Sequence, residues 1–158
     1  MSTKNHDGRF FIILHNVRSA HNVGAIFRAA DGAGVNKIYL GGYTPTPAKD
    51  LKILKTSLGA EKYIPWEHHA QTWQLLKKLK KEGIFILALE QAGDSIDYRQ
   101  FRPSFPLALL VGNEVVGLPK KILARTDKKI YLPMAGRKES LNVAVAFGIA
   151  VYYLRYSK

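Results

Sequence analysis

The sequence contains no cysteine. That excludes disulfides, thiol nucleophiles and cysteine-held metals, and it fits a reducing compartment, so a soluble cytoplasmic protein is expected. Acidic residues are scarce: 12 Asp and Glu stand against 24 Lys and Arg, a net charge of +12 on 158 residues. No apolar run is long enough to span a bilayer, and the longest, around Val143 to Leu154, is interrupted by Gly148. The opening MSTKNHDGRF has no apolar stretch of the kind that marks a signal peptide. No G-x-G-x-x-G follows the first apolar run, which disfavours a Rossmann dinucleotide or methyl-donor site, and Walker A, H-E-x-x-H and G-x-S-x-G sequences are missing. His68 and His69, read onto a helix over 68–82, point about 100° apart and make a poor metal pair, so no metal is expected. His15 and His21 are read as local hydrogen-bonding groups, although both lie near the Arg28 segment.

What is present is the composition of one globular domain with a basic surface. An excess of positive charge favours a polyanionic partner, nucleic acid before an anionic membrane; the plain alternative is a lysine-rich solvated surface. Five short apolar runs recur, at 10–16, 37–42, 85–90, 106–112 and 129–134, with a weaker one at 62–66. They are continuous rather than alternating, as in strands covered on both faces. Helical segments lie between them at 22–33, 48–58, 68–82 and 118–125, and a last one covers 140–155. Strand–helix alternation predicts an α/β sandwich built on a parallel sheet, whose ligands bind beyond the carboxyl ends of the strands.

Three of the runs lead into unusual turns. FFIILHN is followed by VRSAHNVGAIFR, PLALLVG by NEVVGLP, and KIYLPM by AGRKESLNVAVAFGIAVYY. Arg28 interrupts an otherwise small and apolar helix, either on its one solvated face or with its stem laid along the core. Glu114 is an acid in a basic protein, able to accept amide hydrogen bonds, pair with an arginine or cap a helix. Ser140 is the expected N-cap of the last helix, with Leu141 and Asn142 in its first turn and Val143 at the third position. The small residues Ala144, Ala146, Gly148 and Ala150 allow that helix to approach other backbones closely.

Together, in this order and at these separations, the segments resemble the SpoU (TrmH-like) branch of the SPOUT RNA methyltransferases. The resemblance runs from ILHNVRSAHNVGAIFRAADGAGVNKIYLGG through KTSLGAE and LLVGNEVVGLP to YLPMAGRKESLNVAVAFGIAVYYL, nearly the whole chain. It implies a parallel-sheet α/β domain with a carboxyl-terminal trefoil knot, one catalytic domain over residues 1–158, S-adenosylmethionine as methyl donor, a homodimer, and 2′-O-methylation of a ribose in tRNA or rRNA. By motif it implies catalytic roles for Arg28, Asn22, Glu114, Ser140 and Asn142. Donor contacts fall near Leu89, Gly112, Leu132, Ser140 and Leu141, with Gly112 keeping a side chain out of the donor's path.

About ten residues precede the first strand and few follow the last helix, so no separate RNA-binding domain is expected. RNA contacts then fall to Arg18, Arg28, Lys120, Lys121, Arg137 and Lys138, or to a partner protein. Lys77 to Lys81 read more readily as a solvated helix face. The competing readings are a non-catalytic RNA-binding protein on the same fold, methylation of a base, and, more remotely, a flavodoxin-like nucleotide domain.

Overall fold

Alternate residues of the first apolar run point into two different cores. In β1 (Phe10–His15), Phe10, Ile12 and Leu14 join one cluster of buried side chains while Phe11 and Ile13 join the other. The computed structural model describes residues 8–158, so most of the opening segment read above for a signal peptide lies outside the described residues. After β1 come α1 (Ala20–Gly32), β2 (Lys37–Gly41), a 3-10 turn at Leu51–Ile53, α2 (Leu54–Ser57) and a second 3-10 turn at Ala60–Lys62. The chain continues with β3 (Trp66–His69), α3 (Thr72–Lys81), β4 (Phe85–Leu89), β5 (Ile96–Asp97) and a third 3-10 turn at Tyr98–Gln100. It ends with β6 (Leu107–Val111), α4 (Lys120–Leu123), β7 (Lys128–Tyr131) and α5 (Val143–Tyr156).

The seven strands form one sheet in the order β3-β2-β1-β6-β4-β7-β5, and every neighbouring pair is parallel. Helices α1 and α5, with the 3-10 turn before α2, cover one face; α3 and α4 cover the other. Coverage on both sides explains why β1 and β6 are apolar at nearly every position. Helix α1 buries Ala20, Val23, Ile26, Phe27 and Ala30 at helical spacing and starts at Ser19, whose hydroxyl accepts from the Asn22 N–H at 3.2 Å. Near the end of α5, Arg155 donates to the Ala33 and Gly34 carbonyls at 2.7 and 2.9 Å, tying the two helices together. No helix among the described residues is long and apolar enough to cross a membrane.

Several expected boundaries move for physical reasons. The strand expected at 62–66 lies at 66–69: Lys62 closes a 3-10 turn, Ile64 is buried beneath it, and Pro65 precedes the strand. His68 and His69 therefore sit on β3, where neighbouring side chains face opposite sides of the sheet, and α3 begins at Thr72. This edge strand needs little apolar character, because it pairs on one side only and its Glu67 meets Lys37. The helix expected over 48–58 is a 3-10 turn followed by a single α-turn, and that expected over 118–125 is reduced to α4. Strand β7 stops at Tyr131, three residues before the end of its apolar run, because Leu132 to Met134 leave the sheet. The two-residue β5 has no apolar run to announce it.

Helix α5 also starts later than expected. Asn142, not Ser140, is its N-cap, with the carboxamide oxygen accepting from the Ala144 and Val145 N–H groups at 2.9 and 3.3 Å. One oxygen thus satisfies two helix-terminal donors, which leaves Ser140 and Leu141 before the helix and makes Val143 its first residue.

Gly24 lies where α1 packs closely against Ile53 and α2. A Cβ there would collide with Thr56 Oγ1 and the Ile53 carbonyl oxygen. Alanine in a helix interior normally gains about 1 kcal/mol over glycine. Here overpacking of about 1–3 kcal/mol outweighs that gain. Gly24→Ala is expected to lower the urea midpoint; a raised midpoint would contradict this packing.

Candidate active site

A cleft of about 250 Å³ opens beyond the carboxyl ends of β4, β6 and β7. Its walls come from four places: Leu89 to Gln91 after β4, Val111 to Gly117 after β6, Tyr131, Leu132, Met134 and Glu139 to Leu141 after β7, and Val143 with Ala146 on α5. This is the position at which a parallel sheet accepts a ligand.

The loop after β6 is built from its own sequence. Asn113 Oδ1 accepts from the Val115 and Val116 N–H groups at 2.8 and 3.0 Å, and its Nδ2 donates to the Asn16 carbonyl at 2.9 Å. Gly117 closes the turn at φ +68°, a conformation costly for other residues, and its N–H returns to the Asn113 carbonyl at 3.0 Å. Glu90, just past β4, then accepts from the Leu118 N–H at 2.8 Å and fixes this wall to its neighbour. Gly112 does line the cleft, but the loop itself forbids a side chain there: a Cβ would sit 2.7 Å from Leu118 Cγ and 2.8 Å from the Gly117 carbonyl carbon. Val115 and Val116 stand almost bare at the rim, 89% and 78% exposed.

Glu114, on the same loop, reaches across to the start of α1. Its carboxylate accepts from the Arg18 and Ser19 N–H groups, both at 3.0 Å, and from Asn22 Nδ2 at 3.3 Å. Asn22 Oδ1 in turn accepts from Asn142 Nδ2 at 3.2 Å, and Asn142 caps α5. Three segments separated by 92 and 120 positions in sequence are thus joined by one chain of side-chain amides and a carboxylate. Partial burial pushes the Glu114 carboxyl upward; the Ser19 and Arg18 N–H groups, its own N–H and the Asn22 amide more than reverse this and hold it below the ordinary glutamate range.

The structure brings Leu89, Gly112, Glu114, Leu132, Ser140 and Leu141 onto one cleft, with Asn22 and Asn142 linked to its wall through Glu114. Arg28 does not line it. Six residues beyond Asn22, Arg28 is turned about 240° around α1, is exposed, and among the described residues its side chain has no ion pair or hydrogen bond. Arg18 contributes a backbone N–H and an exposed side chain; Lys120 and Lys121 are exposed on α4, and Arg137 and Lys138 on the loop before α5. His15 pairs with Thr72 Oγ1 at 2.7 Å, and burial lowers its pKa. Among the described residues no three metal-ligating side chains gather.

Sequence reasoning missed Glu90, Asn113 and Glu139. Glu90 carried a usable signal, since it directly follows an apolar strand at the carboxyl edge of the sheet. Asn113 and Glu139 carried none, because their importance depends on which loops meet.

Residues 9–152 match the model of the SpoU rRNA Methylase family. The chain is 35% identical over 142 residues to a tRNA (guanosine(18)-2′-O)-methyltransferase of Aquifex aeolicus, covering 89% of this chain and 66% of that protein. It is 35% identical over 149 residues to a 23S rRNA (guanosine(2553)-2′-O)-methyltransferase of Bacillus subtilis, covering 93% of this chain and 58% of the relative. The fold superposes with a TM-score of 0.88 and 34% identity on an AdoMet-bound rRNA methyltransferase from Sinorhizobium meliloti, covering 94% of this chain and 56% of that one. The chain therefore spans less than two thirds of the length of these relatives.

The lowered Glu114 pKa gives the bridge a pH signature. Between the folded and unfolded pKa values the unfolded chain binds more protons, so this contribution rises with pH and is lost as pH falls through the folded value. Glu114→Gln is expected to be less stable than the parent at pH 7, with the gap narrowing as pH falls below the ordinary glutamate range and through the lower folded value. Denaturant titrations at both pH values check this, and a gap independent of pH would contradict it.

Proposed function

Because the chain belongs to the SpoU rRNA methylase family, we propose that it transfers the methyl group of S-adenosylmethionine to a ribose 2′-hydroxyl of tRNA or rRNA. The observation that carries this reading is the hydrogen-bonded line Glu114–Asn22–Asn142, which draws three separated motifs together at the lip of a cleft. The lining suits the donor. Leu89, Val111, Leu132 and Leu141 offer apolar faces for an adenine ring, while Glu90, Glu139 and Ser140 offer polar groups for hydroxyls and an amino acid end. When bound, the donor supplies an activated methyl group on a sulfonium. Glu114 and its bridge hold the walls in register for it.

Arg28 is assigned to the RNA. A guanidinium makes a poor base because its positive charge is delocalised over three nitrogens and it carries only donors. It grips a phosphate and stabilises negative charge developing on the ribose oxygen, and holding that oxygen in line supplies much of the rate. Arg18, Lys120, Lys121, Arg137 and Lys138, all exposed, add phosphate contacts.

The working form is a homodimer. Helix α5 is apolar on both sides: Phe147, Ala150, Val151 and Leu154 are buried, while Val145, Ile149, Tyr152 and Tyr156 form a second, exposed stripe at helical spacing. A second copy covers that stripe and brings Arg28 of α1 toward the cleft. The trefoil knot belongs to the same reading, supported by the return of α5 from β7, outside β4, to pack on α1 and β6. The described residues act as one catalytic unit in the cytoplasm.

Labelled S-adenosylmethionine offered with separate pools of unmodified tRNA and rRNA, followed by digestion to nucleosides, tests the reaction. Label is expected as a 2′-O-methylnucleoside in one pool. Arg28→Ala is expected to cut turnover by about 10²–10³-fold with little change in donor affinity. Label on a base would move the reaction to base methylation, and a fully active variant would remove Arg28 from it.

A further inference from the structure

A second charged surface lies on the opposite layer from α1 and α5. Helix α3 commits Leu75, Leu76 and Leu79 to the core and turns Lys77, Lys78, Lys80 and Lys81 outward. Arg125, just beyond α4, comes alongside, so that Lys77, Lys80, Lys81 and Arg125 line one groove. A neighbouring groove shares Lys77 and Lys81 and adds Trp73. Trp73 is 40% exposed, and the Arg125 guanidinium lies 5.3 Å from its ring centre. Five cations face two carboxylates here, Glu82 and Asp127, and Asp127 is engaged by Lys80 at 3.5 Å and by the Ile86 N–H at 2.7 Å. Among the described residues Lys77, Lys78 and Lys81 have no ion-pair partner. Neither groove shares a residue with the cleft.

Resting on the reading of the chain as an RNA methyltransferase, we propose that this α3 face is a second RNA-binding surface, which holds the body of the substrate while the cleft engages one nucleotide. Repulsion among closely set, unneutralised lysines is relieved by a polyanion, and each phosphate they meet releases counterions. The Trp73–Arg125 pair offers a flat cationic and aromatic platform on which an unpaired base stacks. A membrane surface fits less well. The apolar side of α3 is spent on the core, and the outward side presents cations with one half-exposed ring, not the apolar face that an interfacial helix inserts. Lys120 at the start of α4 follows the cleft wall by three residues, so the charged layer continues from the cleft toward the grooves.

The test compares Lys77→Glu/Lys81→Glu/Arg125→Glu with a control of equal charge change, Lys49→Glu/Lys52→Glu/Lys55→Glu, in salt titrations of binding to unmodified tRNA and rRNA. The α3 variant is expected to bind at least about tenfold more weakly and to flatten the log affinity–log salt slope by about 2–3, roughly one for each phosphate no longer gripped. Donor binding is expected to stay at the parent level. A milder variant, Lys77→Gln/Lys81→Gln, should fall between. If the parent binds RNA and the α3 variant matches either the parent or the control, the surface is overturned and the catalytic reading stands. If the parent binds neither pool, both fail. If only binding to phosphatidylserine vesicles depends on these residues, the partner is a membrane and the proposal is wrong.

Discussion

The carboxamide of Asn22 is the group on which the arrangement of the cleft depends. Its nitrogen donates to Glu114 and its oxygen accepts from Asn142, at 3.3 and 3.2 Å, so a single side chain connects the loop after β6 to the cap of α5. An amide suits this position because it donates and accepts at once; aspartate would place a second carboxylate against Glu114, and leucine would strand both partners. The bridge also explains why Glu114 stays below the ordinary glutamate range in a part-buried setting, since its oxygens accept from the Arg18, Ser19 and Asn22 N–H groups. Cap, bridge and carboxylate form one unit, made of three of the polar motif residues, Asn142, Asn22 and Glu114.

That unit needs a rigid frame, and the parallel sheet provides it. With helices on both faces, strands β1, β6 and β4 are fixed by alternating contacts into two cores, and their carboxyl ends hold the loops of the cleft at set separations. Close backbone packing tightens the frame at Gly24 and Gly112, where a single added carbon would displace a neighbouring segment. The loop after β6 can therefore carry exposed valines at its tip without losing its shape, since Asn113 and Glu90 hold its base.

Charge is distributed by layer. The cleft carries acids, Glu90, Glu114 and Glu139, in a protein of net charge +12, while lysines gather on the outward side of α3, whose leucines the core has already taken. An acidic pocket suits a cationic ligand, and the lysines of α3, none of which lines that pocket, suit a polyanion.

The sequence by itself determined the layered α/β class, the positions of the five strands that carry the longer apolar runs and the identity of the polar motif residues. Continuous apolar runs mean strands covered twice, while Asn22, Glu114 and Asn142 are marked by the family resemblance of the segments that follow such runs. It misplaced what depends on competition between neighbours, as when Asn142 displaced Ser140 as the cap by satisfying two donors instead of one. The packing of Gly112 within its own loop was not legible either: the carbon it lacks would strike Leu118. Only the tertiary structure decided which loops meet, because the hydrogen bonds that define the cleft join residues 92 and 120 positions apart. It also decided that Lys77, Lys81 and Arg125 share a groove, since α3 and the end of α4 become neighbours only when β4, β6 and β7 assemble beneath them.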